Sequence, residues 1–293
     1  MIEEKKISVI IPTLNAEKYI SKLVEKLNNQ TVKPSEIVIV DSESNDKTVE
    51  ICKKYDNVRV IVIKRKDFDH GKTRDMALKT CKSDFILFMT QDAVPNNELY
   101  IENLLKPFDD ENVAIASGRH IAREDASPIE KLVREYNYPA QSCVRSKSDI
   151  AEHGIKTYFF SDVCSAYRRD IYEKLGGFEY PLKTSEDMFF AAKVINNGYK
   201  AAYAADAEVI HSHNFTLKEQ YKRNYILGYE LKRHKDLLGN VSENSEGIKL
   251  VKYVSAKLLK QGKILHFVRF VFDCCARKLG NICGKYCKED KLK

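Results

Sequence analysis

The chain has 293 residues, of which 43% are apolar and 31% charged; this suits one large α/β domain, or a domain with an appendage, and excludes a disordered chain. Its formal charge of +7 is unevenly spread: residues 250–293 carry eleven Lys and Arg against three acids, a net +8, so residues 1–249 sum to −1. A near-neutral body excludes a nucleic-acid-binding face there and makes the tail the part that meets an anionic surface or a second copy of the chain.

The eight cysteines form no C-x-x-C pair, so they read as small apolar side chains in a reducing compartment and not as a metal cluster. No apolar run approaches the ~18 residues of a spanning helix. The start MIEEKK is too acidic for a signal peptide. The expected location is the cytosol, with peripheral contact to a membrane through the tail.

Residues 7–11 are a β-branched-rich run closed by Pro12, Thr13 and Asn15, the pattern of a strand buried on both faces. Residues 18–28 place Ile20, Leu23, Val24 and Leu27 at helical spacing. A second buried strand follows at 36–40, a helix at 48–55 and a third strand at 58–63. Such alternation predicts a parallel sheet with right-handed crossovers. The first strand runs into PTLNAEKY without a G-x-G-x-x-G. Gly71-Lys72-Thr73 resembles the end of a P-loop, but Lys66 stands where its first glycine belongs, so both nucleotide motifs are rejected. Asp41 ends the second strand, where its carboxylate can accept from a pyrimidine imide or cap the next turn; Asp46 and Thr48 offer helix capping separately.

The stretch 68–95 holds an Asp-His-Gly turn, a helix, a buried strand at 85–89, and then Thr90, Gln91, Asp92 and Ala93. Open α/β sheets bind ligands at the carboxyl ends of their strands, which makes Asp92 a candidate metal carboxylate. A helix is expected at 99–108 and a short strand at 113–117. Ser127-Pro128-Ile129-Glu130 is a capping box that launches a helix toward Tyr136. Residues 137–156 have no clear period and read as a long loop. A strand at 163–168 and a helix at 169–175, stopped by Gly176 and Gly177, come next.

Glu186 and Asp187 begin a helix at 188–195, where acids either complement the helix dipole or, in a cleft, supply a general base. Short strands at 199–204 and 208–210 lead into His211-Ser212-His213, whose alternate imidazoles can face one metal or phosphate site. A charged helix spans 215–238, and after a polar break at 239–247 the segment 248–272 alternates aliphatic and basic residues. That stretch either lies in a bilayer interface or packs on the body or a partner subunit.

Taken in order, PTLN, IVIVDSES, FDHGKTR, FMTQDAVP, GGF, SEDM and HSH resemble the family 2 glycosyltransferases of GT-A fold, most closely their rhamnosyltransferase branch. FDHGKTR is similar to that branch's F-D/N-H-G-G-T-R signature, and the resemblance spans roughly residues 5–225. It implies an α/β, Rossmann-like GT-A fold with a mostly parallel central sheet flanked by helices. The implied catalytic domain covers 1–215, with a nucleotide-binding half over about 1–95 and an acceptor-side half over about 96–215; a basic helical extension covers 216–293. The implied reaction is an inverting transfer from a dTDP- or UDP-linked sugar, foremost dTDP-L-rhamnose, to a hydroxyl of a glycan or lipid-linked glycan in cell-surface polysaccharide synthesis.

Carried over by residue, the resemblance puts Thr13 and Asp41 on the nucleoside, Asp41 at the base, and Asp69, His70, Arg74 and Gln91 on the remainder of the nucleotide-sugar. It makes Asp92 the second acid of the D-x-D metal motif and Asp187 the catalytic base, with Glu186 beside it. His211 or His213 completes the shell of a Mg²⁺ or Mn²⁺ ion or holds the phosphate. Two departures stand out. Thr90 replaces the first acid of D-x-D, with Ala93 following Asp92, which weakens the metal site and leaves a non-catalytic nucleotide-sugar-binding scaffold or regulator of a polysaccharide assembly complex as the alternative. Lys72 replaces a glycine and either adds a phosphate contact or faces solvent.

Overall fold

The computed structural model describes residues 5–239, 241 and 244–287; the acidic start at 1–4, part of the polar break, and the tail acids Glu289 and Asp290 lie outside the described residues. The chain begins with β1 (Ile7–Thr13), α1 (Ile20–Asn28), β2 (Glu36–Asp41), α2 (Thr48–Cys52), β3 (Val58–Val62), α3 (His70–Lys79) and β4 (Phe85–Met89). It continues through β5 (Val94–Pro95), α4 (Tyr100–Leu105), β6 (Val113–Ile121), α5 (Pro128–Asn137), β7 (Cys143–Arg145), α6 (Ile150–His153) and β8 (Cys164–Arg168). The last part holds α7 (Arg169–Lys174), α8 (Glu186–Asn196), β9 (Lys200–Ile210), α9 (Leu217–Arg233), α10 (Lys235–Leu238), α11 (Asn244–Lys260) and α12 (Ile264–Lys285).

One sheet runs β3-β2-β1-β4-β8-β6-β9-β5, with β7 also paired to β9. β8 lies antiparallel to both β4 and β6, and β5 and β7 lie antiparallel to β9. The other strands, β1, β2, β3, β4, β6 and β9, therefore all point the same way. Alternate residues of each strand serve opposite faces. Val9, Ile11, Ile37 and Leu87 pack with Leu23 and Val24 of α1 and Leu104 of α4, while Ile10, Val38, Ile86 and Phe88 pack with Leu78 of α3 and Phe189, Phe190 and Val194 of α8. Two covered faces explain why these strands read as unbroken apolar runs.

The structure departs from the sequence expectations in several places, among them the helix expected at 215–238, which divides into α9 and α10 at His234. β6 does not stop at 117 but runs to Ile121. The two short strands at 199–204 and 208–210 are one strand, β9, interrupted by a register shift opposite Gly118 and Arg119. A side chain at 118 would strike the Ala207 carbonyl, which is why glycine sits at that irregularity. The supposed loop at 137–156 contains β7 and α6, elements too short to show a period.

A further difference is the tail. Gly262, at φ 66°, divides the segment 248–272 between two helices. α12 lies along α9, with Gly228 against the Asn281 backbone, Gly280 against the Tyr221 carbonyl and Gly284 against the Tyr225 carbonyl. α11 packs on α5 through Leu132, Val133, Val254 and Leu258, joined by Phe270 of α12. The inner faces of the tail helices thus pack on the body. Cys52, Cys81 and Cys164 are buried like small apolar residues, whereas Cys143, Cys275 and Cys283 are exposed, contrary to that reading of the cysteines. Among the described residues no helix is long and apolar enough to cross a membrane.

This packing makes a sharp prediction. Gly284→Val puts a side chain into the Tyr225 backbone and should destabilise the fold by about 2–3 kcal/mol, whereas Leu265→Ala, on the open side of α12, should stay within about 0.5 kcal/mol. Urea denaturation followed by circular dichroism measures both, and equal effects would contradict this arrangement of α9 and α12.

Candidate functional site

Because six strands share one direction, their carboxyl ends gather on one rim of the sheet. Thr13 and Asp41 end β1 and β2, Thr90, Gln91 and Asp92 follow β4, Arg123 follows β6, and His211 and His213 follow β9. A cleft of about 240 Å³ opens here, lined by Pro12, Thr13, Leu14, Ser42, Arg65, Phe68, His70, Arg74, Thr90 and Gln91.

Asp41 is buried beside the cleft residues Thr13 and Ser42 and closes a turn: its Oδ1 accepts from the Ser44 amide (2.8 Å), and its Oδ2 from the Thr13 hydroxyl (3.0 Å) and the Ser44 hydroxyl (2.5 Å). Asp46 holds the start of α2 through the Thr48 amide and hydroxyl, so Asp41 is not needed there. Gln91 clasps the neighbouring loop, accepting from the Leu14 amide and donating to the Leu14 carbonyl. Two hydroxyls that line the cleft, those of Ser42 and Thr90, are buried without a hydrogen-bond partner. A buried hydroxyl without a partner carries an unmet desolvation cost, which a hydrogen bond from a ligand at this cleft would relieve. Ser42 was not singled out in the sequence, and Thr90 was noted there only as a missing acid.

The turn before α3 is held from both sides. Asp69 caps the helix by accepting from the Lys72 amide (2.9 Å) and also accepts from the Leu182 amide (3.2 Å). His70 is half-exposed on the cleft wall, 4.9 Å from the Phe68 ring; burial lowers its pKa against the pull of Glu186, 4.0 Å away. Lys72 is exposed, which selects the solvent-facing alternative in the free protein.

Behind the wall lies a buried ionic cluster. Arg74 donates to Glu186 Oε1 at 2.6 Å, and its Nε stands 3.7 Å from Asp162 Oδ2. Arg74 borders the cleft, but its guanidinium is engaged with these carboxylates, and Glu186 is correspondingly closed in by Arg74. Asp162, not recognised in the sequence, accepts from the Ser165 and Tyr167 hydroxyls, and burial pushes its pKa up to about 6 against the effect of Arg74. Ser185, at φ 67°, makes a left-handed entry into α8. Successive helix residues then diverge: Glu186 turns to Arg74, and Asp187 accepts from the Asp162 amide (3.0 Å) and the Met188 amide (2.7 Å). Burial, then the charges of Glu186 and Asp162, push Asp187 well above the usual carboxylate range.

On the far side of Gln91, Asp92 meets both histidines. His211 Nε2 lies 3.5 Å from Asp92 Oδ1, His213 Nε2 lies 3.3 Å from Oδ2, and the two Nε2 atoms are 3.1 Å apart. One ligand atom from each residue falls within 4.8 Å of the others. Burial lowers the pKa of His211 to about 3 and lowers that of His213, so both imidazoles are neutral, as metal ligands must be. One carboxylate oxygen and two neutral imidazole nitrogens fit a divalent cation, and the buried His211 Nδ1 has no partner that would draw the ring away.

Arg123 reaches the same carboxylate, its guanidinium 3.3 Å from Asp92 Oδ2 and 5.6 Å from the Tyr19 ring centre. His120 forms a second layer, stacked on Tyr138 and bonded to Arg134 at 2.8 Å, with its ring 5.5 Å from His211. Arg123, His120 and Arg134 were missed in the sequence. The signal was the continuation Gly118-Arg119-His120-Ile121, which extends the strand.

The cluster gives a stability test. Glu186→Ala leaves the buried Arg74 guanidinium with the longer contacts to Asp162 and to the His70 carbonyl and should cost about 3 kcal/mol. His213→Ala, at a side chain 41% exposed, should cost under about 0.5 kcal/mol. Denaturant titration of both variants decides whether Glu186 is the structural anchor described here.

Comparison with known proteins gives this geometry a family. The chain matches the family described as Glycosyl transferase family 2 over residues 8–176. It is 42% identical over 224 residues to the O-antigen chain rhamnosyltransferase RfbN of Salmonella typhimurium, covering 76% of this chain and 71% of the relative. It is 26% identical over 210 residues to the poly(ribitol-phosphate) beta-N-acetylglucosaminyltransferase TarP of Staphylococcus aureus, covering 70% and 62%. Among solved structures it resembles the mannosyltransferase PcManGT from Pyrobaculum calidifontis in complex with GDP-Man and Mn²⁺, with a TM-score of 0.66 at 16% identity over 98% of this chain and 88% of that one. It also resembles S. aureus TarS 1–349 in complex with UDP-GlcNAc, with a TM-score of 0.58 at 21% identity over 94% and 90%. These structural likenesses establish the GT-A fold, with its mostly parallel sheet, flanking helices and C-terminal helical region. On the family match and the identity to RfbN, the chain belongs to glycosyltransferase family 2.

Proposed function

We propose that this glycosyltransferase moves L-rhamnose from dTDP-L-rhamnose, with inversion, onto a hydroxyl of a glycan or lipid-linked glycan in polysaccharide synthesis. The observation that carries the reading is that one rim of the sheet holds both a cleft of about 240 Å³ and the Asp92–His211–His213 group, with Asp187 accepting from the Asp162 amide just before β8. The 42% identity to an O-antigen chain rhamnosyltransferase supports rhamnose as the sugar. So does the FDHGKTR turn, whose Phe68, His70 and Arg74 line the cleft.

In this reading Thr13, Asp41 and Ser42 receive the nucleoside, while His70 and Gln91 border the sugar and diphosphate. Asp92, His211 and His213 would hold a divalent cation, and two imidazole nitrogens favour Mn²⁺ over Mg²⁺, which prefers an all-oxygen shell. Bound there, the ion would offset charge on the diphosphate. Arg123 adds a fixed positive charge beside Asp92, where the first acid of the metal motif is absent. Asp187 accepts the proton of the acceptor hydroxyl as that oxygen bonds to the anomeric carbon. The bond from this carbon to the diphosphate oxygen breaks, and the electron pair leaves with dTDP. Attack from the face opposite the leaving group inverts the centre and requires no second carboxylate.

Asp187→Asn should lower transfer by about a thousandfold while dTDP affinity stays unchanged, and turnover near the wild-type rate would remove Asp187 from the mechanism. Asp187 acts only when ionised, and its raised pKa moves the acid limb of the rate profile above the usual carboxylate range; activity that stays flat down to about pH 4 would contradict this. A thermal-shift series with dTDP-L-rhamnose, UDP-GlcNAc and GDP-mannose identifies the donor by the stabilisation it confers. With Mn²⁺ alone, the wild type should be stabilised and His211→Ala should not.

A further inference from the structure

α12 shows two unlike faces. Phe270, Asp273, Gly280 and Gly284 are buried toward the body. On the opposite side Leu265, Val268, Phe272, Leu279, Ile282 and Tyr286 are all exposed, Leu265 by 85%, Phe272 by 58% and Leu279 by 57%. With 3.6 residues per turn these six fall within an arc of about 100° that contains no charged residue. Arg269 borders one edge of the arc, and Lys278 and Lys285 border the other.

An open apolar stripe of this kind marks an interaction surface. A second copy of the chain would bring together two tails of net +8 each, which oppose one another. An anionic bilayer instead receives the stripe among its acyl chains and the flanking cations at its head groups. The stripe also begins beside the site: Arg269 donates to the Phe215 carbonyl at 3.5 Å, and the Phe215 ring lies 5.3 Å from His213.

We propose that α12 lies in the plane of an anionic membrane surface and holds the His213 side of the rim against it. This deepens the acceptor reading above, because a lipid-linked glycan is presented at that surface. The test uses the full-length protein and sedimentation with vesicles of phosphatidylcholine, alone or with phosphatidylglycerol added, and no nucleotide sugar. The wild type should bind the anionic vesicles at least about tenfold more tightly than the neutral ones, and added salt should weaken that binding. Phe272→Asp combined with Leu279→Asp should abolish binding while melting temperature and dTDP affinity are retained. Leu265→Asp, in the first turn of α12, supplies an independent reading should the double variant fold poorly.

Vesicle binding that ignores these substitutions or the lipid charge would overturn the proposal. So would a wild-type dimer that the substitutions split. Neither result bears on sugar transfer, which is measured separately with a soluble acceptor.

Discussion

A guanidinium taken out of water must find carboxylates close at hand, and Arg74 finds them on segments far away in sequence. It belongs to α3, its 2.6 Å partner Glu186 to the first turn of α8, and its second partner Asp162 to the approach to β8. The ion pair therefore joins the early, parallel part of the sheet to the later segments that complete the rim. Burial, and after it the mutual repulsion of the acids, raises the pKa values of Asp162 and Asp187. The same arrangement that ties the segments together produces a carboxyl group with unusual affinity for a proton. The geometry of one helix entry sends the adjacent residues Glu186 and Asp187 to different partners, and in the proposed reading only Asp187 would take part in the chemistry.

The histidine side of the rim follows a different economy. With Thr90 in place of an acid, Asp92 is the single carboxylate, and two neutral imidazoles supply the remaining donors. Negative charge at this spot is low, and Arg123 lowers it further. In the proposed reading a diphosphate would add the negative charge this donor set lacks, so cation and nucleotide would each strengthen the other's binding.

Much of this was legible in the sequence because the relevant signals are local. Unbroken apolar runs marked β1, β2 and β4, and residues at or just past their ends, Thr13, Asp41 and Asp92, fell on the rim by the direction of the strands alone. The two histidines were readable for the same reason. Arg123 was lost because the alternation in β6 fades after Ser117, where pairing with β9 and the irregularity at Gly118 carry the strand onward. Asp162 was lost because its significance lies entirely in Arg74, which is distant in sequence. The glycines of α9 and α12 gave no warning either: Gly228, Gly280 and Gly284 matter only once two helices touch, and the period of a helix does not report what stands against it.

Six residues, 211–216, separate the last strand of the sheet from α9, and they include both histidines. The strand is fixed by its neighbours, and the helix is gripped along its length by α12 through glycine contacts that leave little room to slide. His213 thus sits on a short connection between the sheet and the helix. The Ser212 hydroxyl and the Asn214 amide tie that segment to the turn between β6 and α5, so the position of His213 is set jointly by the sheet, this turn and the α9–α12 pair.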